Sequence, residues 1–102
     1  MSETDTHRVL CIDAKARTVQ SAIMTFDQMR AYIEGYAETV RLPSGELLLV
    51  DEDALCKPLD GRGRFAIAGR AIVGNAVVVA QDGCEFADSE MSPGDVQRLI
   101  SW

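Results

Sequence analysis

The run Ala76-Val77-Val78-Val79-Ala80, inside the longer stretch from Arg70 to Gln81, restricts the fold of this chain more than any other feature. Valine and isoleucine are stiff at χ1 and suit a pleated surface better than a helix. No polar residue alternates with the apolar ones, so both faces of the segment must be covered. The run is also well short of the ~20 apolar residues needed to cross a bilayer. It reads as the central strand of a sheet. Gly74-Asn75 marks a tight turn or bulge where that strand begins.

The other elements follow from local pattern. Residues 1–7 read as a flexible tail, and residues 8–102 as one domain, the number expected of a chain of 102 residues. Arg8–Asp13 and Arg17–Ala22 predict two strands joined by the turn Ala14-Lys15-Ala16. Thr25 with Gln28 forms a capping-box signature, and Phe26, Met29, Ile33 and Tyr36 share one face of the helix that follows, with Gly35 at its end. Tyr36–Leu42 and Leu47–Val50 flank the turn Pro43-Ser44-Gly45-Glu46 and predict a hairpin. From Asp51 to Gly63 the chain reads as irregular, and Phe65–Ala68 is ambiguous between strand and helical turn. Ser92, Pro93 and Asp95 begin a second helix with Val96, Leu99 and Ile100 as its apolar stripe. The expected fold is α+β: a small antiparallel or mixed sheet with two helices packed on it.

Composition narrows the function classes. Sixteen acidic residues against ten basic give a formal net charge of −6, which opposes phosphate-backbone binding and favours a protein partner with a basic surface. No direct nucleic-acid binding and no membrane association are expected. The polar, acidic start of the chain lacks the pattern of a signal peptide, and three cysteines (Cys11, Cys56, Cys84) cannot all pair, so a reduced, cytoplasmic location is expected.

The same residues argue against common catalytic devices. His7, the sole histidine, lies beside the tail and reads as solvent-exposed, poorly held for a Ser-His-Asp or Cys-His arrangement. Three separated cysteines do not supply four zinc ligands at short spacing, so neither a metal nor a cofactor is expected. Cys11 reads as core packing, whereas Cys56 and Cys84 fall in loops. Tyr32 and Tyr36 read as packing on the first helix, and Asp51-Glu52-Asp53 as solvated loop acids. Two charged features remain. Asp82, Glu85, Asp88, Glu90 and Asp95 lie in a segment without a single Lys or Arg and could imitate the charge of a nucleic acid. Arg62, Arg64 and Arg70 surround a glycine-rich loop that could bind phosphate, although P-loop and dinucleotide spacings are absent.

From Arg30 onward the chain resembles the family known as domain of unknown function 3846, small proteins of bacteria, phages and plasmids. The resemblance rests on Tyr32-Ile33-Glu34-Gly35-Tyr36-Ala37-Glu38-Thr39-Val40, on Leu47-Leu48-Leu49-Val50-Asp51-Glu52, and on Ile72-Val73-Gly74-Asn75-Ala76-Val77-Val78-Val79 followed by a C-terminal helix. Asp60-Gly61-Arg62-Gly63-Arg64 departs from the asparagine–alanine pair common in the corresponding loop. The resemblance implies a fold and a mobile-element setting, and no catalytic residues. The first functional expectation is therefore a non-enzymatic binding or regulatory accessory protein of a phage or plasmid, in its sharpest form an acidic nucleic-acid mimic. The alternative is a small phosphate- or ligand-binding domain, or an enzyme, using Arg62, Arg64 and Arg70. A homodimer is open only if Ala76–Ala80 lies at a sheet edge.

Overall fold

The computed structural model describes residues 5–54, 57 and 61–102. Among the described residues nine strands and two short helices occur in the order β1 (Thr6–Asp13), β2 (Thr18–Thr25), α1 (Phe26–Ile33), β3 (Ala37–Arg41), β4 (Leu47–Asp51), β5 (Arg64–Ile67), β6 (Arg70–Val73), β7 (Ala76–Asp82), β8 (Glu85–Ala87), α2 (Pro93–Gln97) and β9 (Ile100–Ser101). The main sheet runs β2-β1-β7-β4-β3, with β8 paired to the outer half of β7, and a second sheet runs β6-β5-β9. Every described ladder is antiparallel.

The valine run occupies the middle of the main sheet, as its composition predicts. Val77 and Val78 pair with Cys11 and Leu10 on one side and with Leu49 and Leu48 on the other. Val77, Val78 and Val79 are fully buried, each worth about 1.5–3 kcal/mol relative to exposure. Because β7 is flanked on both sides, self-pairing through Ala76–Ala80 is closed.

Side chains alternate across the pleat and divide the core in two. Val9, Cys11, Leu47, Leu49, Val77 and Val79 face Met29 and Ile33 of α1. Leu10, Ile12, Leu48, Val50, Ala76 and Val78 face Phe65, Ile67 and Ile72 of the second sheet and Val96 of α2.

The second sheet corrects the expectation of one sheet with two helices on it. Arg70–Val73 does not continue into the valine run; Gly74-Asn75 carries the chain from one sheet to the other. Phe65–Ile67 is strand, and one face of the main sheet is covered chiefly by β5 and β6 instead of by a second helix. The fold is α+β with strand dominant. Helix α2 spans only five residues, because Ile100 leaves the expected stripe to pair with Ile67.

Two further corrections bear on local chemistry. Strand β1 begins at Thr6, so His7 belongs to the sheet opposite Met24 and its side chain is 15% exposed, neither tail nor open to solvent. Tyr36 is exposed, not part of the helix's apolar face, and the Arg30 guanidinium lies 5.0 Å from its ring centroid. Tyr32 packs against the α1-side core as expected, and burial pushes its hydroxyl up to about 12. The predicted capping box of Thr25 with Gln28 forms, and Ser92, the predicted cap of the second helix, forms one with Asp95.

Candidate functional site

The acidic segment is ordered by contacts of its own. Asp88 Oδ1 accepts a hydrogen bond from the Arg8 backbone N–H at 2.9 Å. The buried Glu46 carboxylate accepts from Ser89 Oγ at 2.6 Å and from the Glu90 N–H at 2.8 Å. Arg8 donates to the carbonyls of Ser89 and Met91 at 2.8 and 2.9 Å. Asp95 completes the capping box of α2 by accepting from the Ser92 N–H and pairs with Arg98 at 3.2 Å; its hydrogen bonds with Ser92 hold its carboxyl below the usual range. Asp82 and Glu85 are exposed and directly opposite in the β7–β8 register. Two of the five acids singled out in the sequence, Asp88 and Asp95, thus hold the fold together.

Asp51 corrects a second expectation. It is not a solvated loop acid: its side chain is 1% exposed and lies 2.7 Å from Lys57 Nζ and 3.3 Å from Arg62 Nη2. The Asp53 N–H donates to Oδ1 at 3.0 Å. Burial alone would raise this carboxyl, but the Lys57 hydrogen bond, the Asp53 N–H and the two positive charges outweigh it and lower the pKa. Lys57 also donates to the Glu34 carbonyl at 2.9 Å, tying the end of α1 to the same carboxylate. Helix α1 ends with Glu34 in the left-handed cap, not with Gly35. Gly35 is needed for a different reason, since a Cβ there would overlap the Asp51 carboxylate.

The three arginines of the sequence reading do not converge. Arg62 is turned inward to Asp51 and to the Ala54 carbonyl at 3.1 Å. Arg70 borders a small hollow of about 120 Å³ with Glu38, Asp51 and Glu52, less space than small-molecule sites use. Arg64 lines a separate cleft of about 630 Å³ with Lys15, Arg17, Gly61, Gly63, Val73 and Trp102.

This cleft is the strongest candidate site, and sequence reasoning passed over two of its residues, Lys15 as part of a turn and Arg17 as the start of a strand that in fact begins at Thr18. Of the ten Lys and Arg in the chain, six engage partners through their charged heads. Arg30, Lys57, Arg62 and Arg98 pair with carboxylates, and Arg8 and Arg41 donate to carbonyls or an amide. Among the described residues Lys15, Arg17, Arg64 and Arg70 have no such partner, and three of these four line one cleft.

The cleft is also stiff. Asp13 Oδ1 accepts from the Lys15 and Ala16 N–H groups at 3.1 and 3.0 Å, and the Arg17 N–H donates to the Asp13 carbonyl at 2.8 Å. Asn75 Oδ1 accepts from the Ala14 N–H at 3.1 Å. Arg17 is held at φ 59, in the left-handed region that a non-glycine residue enters only when its surroundings impose it. Gly63 lies directly against the backbone of Ala14 and Lys15, and its carbonyl accepts from the Gly74 N–H at 3.0 Å. Cationic side chains lining one cleft favour an anion there, and the arginine fork suits carboxylate or phosphate oxygens.

Other features are quieter. Cys11 is buried, which raises its thiol pKa, and Cys84 is exposed; Cys56 lies outside the described residues. Among the described residues no cluster of His, Cys, Asp and Glu could hold a metal ion, and no helix is long and apolar enough to cross a membrane. Compared with known family models, with curated proteins and with solved structures, the chain matches none.

Proposed function

We propose that this chain is an anion-binding domain whose ligand carries a phosphate or a similar compact anion. One observation carries the reading: in a chain with an excess of carboxylates, three of the four cations without a partner among the described residues, Lys15, Arg17 and Arg64, line a single cleft. Acids are abundant enough to neutralise them, and none among the described residues does. The net charge of −6 repels extended polyanions, whereas one anion inside the cleft feels mainly the nearby cations. Saturating phosphate or pyrophosphate will raise the melting temperature of the full chain by several degrees, since a ligand at about 100 Kd adds ~2.7 kcal/mol. Lys15→Gln/Arg17→Gln/Arg64→Gln will weaken binding at least about 100-fold, each charged hydrogen bond being worth ~1.5–3 kcal/mol. An equal thermal shift in the triple variant removes the cleft from consideration.

A second reading is supported by the segment from Asp82 to Asp95, which contains no Lys or Arg and is strapped to the sheet through Glu46 and Arg8. Rigidly held exposed acids suit a basic protein surface, as in a regulatory accessory protein of a phage or plasmid acting as a nucleic-acid mimic. Asp82→Asn/Glu90→Gln leaves the strap intact. It will reduce low-salt capture of basic host proteins relative to wild type; identical capture by both proteins counts against the mimic.

A further inference from the structure

We infer that the anion taken by the Lys15–Arg17–Arg64 cleft is a free nucleoside monophosphate, its base stacked on Trp102. This rests on the anion-binding reading above and adds the ligand's class. Trp102 is 39% exposed, yet its ring is fixed edge-on against the buried Phe65 at a centroid distance of 5.9 Å and an interplanar angle of 61°. An aromatic surface anchored to the core therefore borders the three cations, with Val73 extending the apolar wall. Inorganic phosphate would use the cations and leave this wall wet. A flat base would cover it, and stacking of one base on an aromatic side chain is worth ~1–3 kcal/mol.

The neighbouring hollow limits the ligand further. It shares Lys15 and Gly61 with the cationic cleft, has a volume of about 580 Å³, and presents Asp13, Glu34, Asn75 and Arg62, the last already paired with Asp51. Asn75 Oδ1 is occupied by the Ala14 N–H, which leaves its amide N–H groups to donate. Carboxylate and amide groups suit sugar hydroxyls, and with Arg62 committed to Asp51 the Asp13 and Glu34 carboxylates disfavour a second or third phosphate. One phosphate, one sugar and one ring fit this sequence of surfaces better than a di- or triphosphate.

Trp102 is the single tryptophan of the chain, so its fluorescence reports on this site alone. Titration of the full chain with AMP and UMP will quench that emission. Calorimetry will give affinities at least about tenfold tighter than for ribose 5-phosphate, the difference a stacked base supplies. Trp102→Leu will abolish that advantage and leave ribose 5-phosphate binding unchanged, with circular dichroism checking the fold; Trp102→Phe will retain part of it. Equal affinities for AMP and ribose 5-phosphate overturn the nucleotide assignment while the anion site stands. ADP or a short oligonucleotide binding more tightly than AMP overturns the monophosphate choice. If no phosphate compound binds, the anion-binding reading itself falls.

Discussion

Asp51→Ala will destabilise the protein by about 3 kcal/mol, at the lower end of the range for breaking a buried ion pair because Lys57 retains access to solvent. For a domain of this size that is a fall in melting temperature on the order of 12–24 °C. Urea unfolding will show the loss as a lower midpoint at unchanged slope. The effect is large because one buried carboxylate joins three parts of the chain. It receives Lys57, which also holds the Glu34 carbonyl at the end of α1, and Arg62, which leads directly into Gly63 and Arg64. Without it the guanidinium of Arg62, 15% exposed, is left without its carboxylate. Asp51→Asn keeps the shape and an acceptor, so it will cost less, about 1–2 kcal/mol. A loss below about 0.5 kcal/mol for Asp51→Ala would mean that the Lys57 and Arg62 contacts contribute nothing net.

The same variants carry a pH signature. The folded carboxyl titrates below its unfolded value of about 3.9. Its stabilising contribution is therefore fully present above that value and is lost as pH falls through the folded pKa. Wild type will lose more stability than Asp51→Asn on acidification below about pH 4, and the gap between them seen at pH 7 will narrow.

Most of the scaffold was legible because it depends on near neighbours. Thr25, Gln28, Ser92 and Asp95 announce two helix starts through local hydrogen bonds, and both form. The hairpin of β3 and β4 and the central place of Val77–Val79 follow from alternation and from its absence. The second sheet was not legible, because Ile67 and Ile100 pair across a long span of sequence and each strand is too short to show a period. Asp51 looked like its neighbours Glu52 and Asp53 because burial of an acid depends on Lys57 and Arg62 arriving from a later segment. The cleft was hidden for the same reason. Arg64 drew notice for its glycines, but its companions Lys15 and Arg17 come from a turn about fifty residues away, and Arg62, its apparent companion, is committed to Asp51.

Gly63→Ala will remove both stability and anion binding, and Gly61→Ala separates the two causes. Both glycines have positive φ, 71 at Gly63 and 74 at Gly61, so alanine at either pays the left-handed penalty of about 1–2 kcal/mol. A Cβ at Gly61 meets nothing within 4 Å, whereas one at Gly63 would stand 2.7 Å from the Ala14 carbonyl carbon and 2.8 Å from the Lys15 nitrogen. Those are backbone atoms, and the turn that carries them is already held by Asp13 and Asn75, so it has little freedom to yield. Gly63→Ala will therefore cost at least about 1 kcal/mol more than Gly61→Ala in urea unfolding, within the usual range for overpacked sites. Relief of the overlap requires the Lys15–Arg17 turn to move away from Arg64, which separates the three cations. Phosphate affinity will consequently drop in Gly63→Ala even at temperatures where it remains folded, and will drop less in Gly61→Ala, where the added Cβ lines the cleft but displaces no neighbouring atom. If Gly63→Ala binds phosphate as wild type does, the close approach of these two backbones sets stability alone and the cations need no fixed spacing.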